Sequence, residues 1–100
     1  MDLALQHRAI KAAMTHPFYK EASAHVYCQP VVFVCQGEKL LSAKESFTKI
    51  PSNLDRCIVV SFMTSESTPK PLWGGGKSYD FVIDPASMEI VDASVGEWRS

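Results

Sequence analysis

The stretch "YDFVIDPASMEIVDASV", residues 79–95, constrains the fold more than any other part of the chain. Asp84 favours the first position of a type I turn and Pro85 pre-sets φ for the second, so the two flanking apolar runs fold back on each other as an antiparallel hairpin. A register that pairs Ile83 with Glu89 also sets Asp80 opposite Asp92, and like charges directly opposite each other are unfavourable. That leaves pairings of Ile83 with Met88 or with Ile90.

Upstream of the hairpin, β-branched and aromatic runs alternate with turn residues from Pro30 onward, the texture of an antiparallel sheet. "VVFVCQG" and "CIVVSFM" are apolar at nearly every position, which predicts central strands covered on both faces. "EKLLSAKESFTKI" alternates less cleanly and carries three lysines, as a strand near an edge would. "IPSNLD" reads as a turn and "TSESTPKPLWGGG" as the longest loop.

The first quarter is helical. Asp2 can cap a helix in which Leu3, Ile10 and Met14 share a stripe with Ala9 and Ala13 beside it, while Gln6, Arg8 and Lys11 face water. Thr15-His16-Pro17 interrupts it, and Pro17 suits the first turn of a second helix whose stripe runs Phe18, Ala22, Val26. "AHVYCQ" reads equally as the end of that helix or the start of a strand. The whole chain, residues 1–100, is therefore expected to be a single α+β domain with N-terminal helices on an antiparallel sheet of four or five strands.

A net charge of -1 and a pI near 6.3 supply no basic field for a phosphate backbone, which argues against nucleic acid as the partner. No run approaches the ~20 apolar residues of a membrane span. Asp2, His7, Arg8 and Lys11 are in the wrong order for a secretory signal. Cys28, Cys35 and Cys57 form an odd set in unrelated spacings, which predicts no disulfide framework and no zinc module, and makes the cytoplasm the expected compartment.

Gly76-Lys77-Ser78 imitates the end of a phosphate-binding loop, but Pro71 stands where its first glycine belongs, and "YDFVID" after it is strand, not helix. The glycines are read instead as permitting a bend or bulge where the chain enters that strand. His25 and Cys28 lie three apart and on a helix could share a metal, but the remaining ligand candidates have arbitrary spacing. Cys35 and Cys57 lie in the most apolar runs, where a thiol behaves as a small hydrophobe, and only Cys28 is expected to see solvent. Tyr79 and Asp80 point to opposite faces of one strand and cannot form an acid–base pair, while Tyr19, Tyr27 and Asp92 are unplaced. The residues thus indicate no enzyme: no catalytic residue, no metal and no cofactor is assigned.

Gly74 and Gly75, Tyr79 to Asp84, and Glu89 to Val91 carry a resemblance. With two short helices and an apolar strand ahead of them, they look like the closing hairpin of the small bacterial immunity proteins of the nuclear-transport-factor-two-like, or cystatin-like cone, fold. The resemblance covers about the last third of the chain. It implies a helix packed into the concave side of a curved sheet, and a protein that binds and neutralises a toxin or effector partner. The family usually has a positive-φ glycine late in this turn, where this chain has Met88. The same cone also hosts isomerases and hydratases, so a small ligand-binding or enzymatic protein is the alternative.

For a binder of another protein, the expected contact residues are Leu72 and Trp73 in the Pro-stiffened loop, Asp80 and Asp92 in the acidic hairpin, and Glu97 and Trp98 near the C-terminus. A core role for Trp73 is the competing reading. Homodimerisation stays open.

Overall fold

The computed structural model describes residues 2–25, 27–47, 49–65 and 75–99. Along the chain run α1 (Leu3–Met14), α2 (Pro17–Ser23), β1 (Tyr27–Gln36), α3 (Glu38–Ser46), β2 (Arg56–Ser65), β3 (Gly75–Ile83) and β4 (Ile90–Arg99). The four strands make one antiparallel sheet in chain order, β1-β2-β3-β4. The α+β class, the N-terminal helices on the sheet and the closing hairpin are as the sequence predicts.

Local chemistry sets the first two helices. The Asp2 carboxylate accepts from the Ala4 amide at 3.2 Å and opens α1. His16 caps α2, its Nδ1 accepting from the Phe18 amide at 3.1 Å, and Pro17 follows in the first turn. The stripe of α1 differs from its expected composition: Ala9 and Ala13 are fully buried, whereas Leu3 is 68% exposed. The sheet explains this. It presents Phe62, Tyr79 and Phe81 to the helices, and with such bulk below, only small side chains let the helix backbone approach. Phe81 meets Phe62 edge-on at 5.9 Å and takes the His16 ring at 5.3 Å. α2 ends at Ser23, and β1 begins at Tyr27, so "AHVYCQ" leads into a strand. Val26, expected on the α2 stripe, is outside the described residues.

The segment expected as an edge strand, residues 38–50, is instead helix α3 followed by a turn. Glu38–Ser46 holds no β-branched residue and is rich in Leu, Ala, Lys and Glu, all good helix formers. Its buried residues Leu40 and Ala43, with half-buried Phe47, recur at helical spacing. Gly37, with φ of 61°, lets the chain leave β1 and turn into this helix. Because α3 is no strand, β1 becomes an edge of the sheet. The expectation of two central apolar strands holds for β2, buried at nearly every position, and fails for "VVFVCQG", where Val31 is 46% and Phe33 43% exposed.

The closing hairpin pairs Ile83 with Ile90, then shifts register by one between Val82 and Ile83, so that Val82 faces Asp92 and Asp80 faces Ser94. The Ile83–Ile90 pairing keeps Asp80 and Asp92 from standing opposite each other, and the bulge puts both on the same face of the sheet. The turn closes through Met88 N–H to Asp84 O at 2.7 Å and Asp84 N–H to Glu89 O at 2.9 Å, and the Asp84 carboxylate accepts from Ala86 at 2.9 Å. Met88 takes φ of 62°, the left-handed conformation usually given to glycine. Gly75 and Gly76 pair regularly with Arg99 and Trp98, so the ladder's irregularity lies at the far end of β3 from the glycines.

Candidate functional site

Alternation along the strands gives the sheet two unlike faces. One carries Ile58, Val60, Phe62, Tyr79, Phe81 and Ile83 under α1 and α2. The second carries Cys35, Cys57, Val59 and Val82, covered by Leu40, Ala43 and Ile50. Lys44 holds α3 to the following turn, its ammonium donating to the carbonyls of Ser52 at 3.1 Å and Leu54 at 3.0 Å.

α3 is shorter than the sheet beneath it, and an open cleft of about 640 Å³ remains beside it. Phe33, Val59, Ala43 and Phe47 give it an apolar floor and wall, and Lys39 and Asp80 stand in its lining. On the sheet beside it a polar chain crosses two strands. Ser78 Oγ donates to Asp80 Oδ1 at 2.9 Å, so its one proton is used, and Ser61 Oγ donates to Ser78 Oγ at 2.9 Å. The carboxylate is oriented by the Ser78 hydroxyl, itself held by Ser61, and lines an apolar groove, an arrangement suited to receive a cationic or hydrogen-bond-donating group.

The expected contact residues are only partly brought together. Asp80 lines the cleft; Asp92, opposite Val82 on the same face, has Oδ2 at 3.4 Å from the Lys49 amide and Oδ1 at 2.8 Å from the Ala93 amide. Glu97 pairs with Lys77, in step with Tyr79 and Phe81, and so belongs to the opposite face. The acidic hairpin is therefore not one surface. Trp98 sits opposite Gly76 in the ladder; its side chain, with Leu72 and Trp73, is outside the described residues. Val31, Phe33 and Lys39 were missed. Their signal was the false reading of residues 38–50 as a strand, which hid the edge position of β1.

The candidates for chemistry are scattered. His25 is in the turn before β1, its Nε2 at 3.2 Å from the Tyr79 hydroxyl, while Cys28 is in β1. Both line a second opening, of about 380 Å³, between the helices and the sheet. Burial pushes the Cys28 thiol up, which disfavours its thiolate. Tyr79 is in the core of the first face and Asp80 on the second; Tyr19 packs on Phe62 at 5.2 Å, also on the first face. Among the described residues, no three His, Cys, Asp or Glu side chains gather as metal ligands, and no helix is long and apolar enough to cross a membrane. Gly76-Lys77-Ser78 is strand, with Lys77 exposed, and no helix N-terminus follows it.

These features define an α+β domain with one sheet face covered at its centre by α1 and α2 and a second face covered in part by α3 and the turn after it. Compared with family models, with curated proteins and with solved structures, the chain matches none of them.

Proposed function

We propose that this chain is a non-catalytic protein-binding protein, an immunity or inhibitor protein of the cystatin-like cone type that neutralises a toxin or effector. Its contact surface is the part of the second sheet face that α3 leaves open. The observation that carries the reading is the edge of that face, where Val31 and Phe33 are 46% and 43% exposed near an aspartate oriented by Ser78. Large apolar side chains on a strand, next to an oriented charge, are what a protein interface uses as anchor and register. A basic partner suits Asp80 and Asp92, and rim charges of this kind act chiefly on the association rate. A reducing compartment, the cytoplasm, suits three unlinked thiols.

The test is a capture experiment in the native host followed by kinetics on the captured protein. Phe33→Ser with Val31→Ser should weaken binding on the order of 100-fold with an unchanged circular dichroism spectrum. Asp80→Lys should slow association and flatten its salt dependence. A partner that binds both variants as it binds the parent refutes the surface assignment.

The cleft also supports the alternative, a small-ligand protein, because its volume lies within the roughly 300–1,000 Å³ of ligand pockets and its lining is apolar with few polar groups. A ligand that raises the melting temperature of the parent but not of Asp80→Ala would favour that reading over the first.

A further inference from the structure

Cys35 and Cys57 stand directly opposite each other in the β1–β2 ladder. Directly opposed residues of an antiparallel pair have Cα atoms about 4.5 or 5.5 Å apart, and both spacings fall within the roughly 4.4–6.8 Å that a disulfide spans. The side chains share one face and belong to the same buried cluster. Both thiols are free. Cys57 is fully buried, and Cys35, itself 3% exposed, belongs to the lining of the cleft. Two thiols directly opposed on one face, one of them lining an opening, are more than a packing pair requires.

We infer that Cys35 and Cys57 form a reversible dithiol–disulfide site, reached by a small peroxide through the cleft and closing as a cross-strand bond between β1 and β2. The Cys35 sulfur, as thiolate, attacks one oxygen of hydrogen peroxide. The O–O bond breaks, and the departing hydroxide takes up the thiol's proton to leave as water. Cys35 is now a sulfenic acid. The Cys57 sulfur attacks the Cys35 sulfur, the S–O bond breaks, and the hydroxyl leaves with the Cys57 proton as a second water. The two thiols together lose two electrons, and one peroxide is reduced to two waters. A dithiol reductant reverses the bond by exchange.

Order follows from position and charge. Burial raises both thiols, but Lys39 and the Cys57 thiol pull Cys35 back, whereas Cys57 is pushed up to about 11 by burial and by Cys35 itself. Cys35 is the attacking sulfur and Cys57 the resolving one, and the attack is slow at neutral pH. The inference does not depend on the identity of any partner.

The test uses the Cys28→Ser protein, which keeps only this pair. Folded protein is treated with hydrogen peroxide, alkylated, digested and mapped. The expected result is a peptide linked through Cys35 and Cys57, released by dithiothreitol, with a melting temperature raised on the order of 10 °C in the oxidised form. Adding Cys57→Ser should leave a sulfenic acid on Cys35 that dimedone traps. If that variant does not fold, mapping of the Cys28→Ser protein decides alone. Consumption of thiols without the linked peptide, or linkage only in urea, overturns the assignment.

Discussion

Met88 offers the sharpest test of the hairpin, because its backbone and its side chain pull in opposite directions. Its φ of 62° costs an L-residue roughly 1–2 kcal/mol, yet its side chain packs half-buried against the first-face core. Replacing it by Ala and by Gly removes the same packing from both, so their difference isolates the backbone. Alanine keeps the strain, while glycine relieves it at an entropic cost of roughly 0.5–1 kcal/mol in the unfolded chain. Met88→Gly should therefore be about 1 kcal/mol more stable than Met88→Ala, or about 4–8 °C in melting temperature. Ala86, in the same turn, has no positive φ, and Ala86→Gly should lose roughly 0.5–1 kcal/mol. Urea unfolding of the three variants measures these differences. An alanine at position 88 as stable as glycine would refute the left-handed turn.

Tyr79→Phe removes a buried hydroxyl bonded to His25 and should cost about 1 kcal/mol or more in urea unfolding; an unchanged midpoint would mean the bond contributes nothing. Lys44→Met breaks two hydrogen bonds to backbone carbonyls and should cost about 1–2 kcal/mol, with faster amide exchange in residues 51–55 as the local signature. The Cys57 thiol has a folded pKa of about 11, above its ordinary value of 9.0, so the folded state holds that proton more tightly. Its stabilisation is complete below pH 9 and is lost as pH rises towards 11, by at most about 1.4 kcal/mol per pH unit. Unfolding midpoints of the parent should fall more steeply over that window than those of Cys57→Ala; parallel curves would contradict the burial argument.

Much of this fold was legible where local and tertiary signals agree. Asp84-Pro85 turns in any context that allows a hairpin, Asp2 and Pro17 act within one helical turn, and "CIVVSFM" is too apolar for any place but the middle of a sheet. The errors share a cause. Residues 38–50 carry Leu40 and Leu41 side by side, and since Leu41 is 63% exposed, the apolar count along that segment blurs the period. Once that segment was read as an edge strand, β1 had to be placed inside. The opposition of Cys35 and Cys57 was hidden for a different reason: a contact across two strands is set by ladder register, and the intervening helix leaves no trace of that register in their spacing. The site was legible only in Asp80 and Asp92. Glu97 was lost to the other face because charge along a sequence says nothing of which way the pleat turns it.

Strand order equal to chain order has a kinetic consequence. Every pairing in the sheet joins neighbours along the chain, so no strand waits for a remote partner before it is held. The connections lengthen from residues 84–89, through 66–74, to 37–55, and the closure entropy of the longest exceeds that of the shortest by only about 1 kcal/mol. The C-terminal hairpin has the lowest closure cost and the β1–β2 connection the highest, so the expected order of assembly is hairpin, then β2, then β1. On the same reasoning β1, an edge strand, should open from β2 while β2–β3–β4 stays paired, and native-state hydrogen exchange should find its amides less protected than those of β2 and β3.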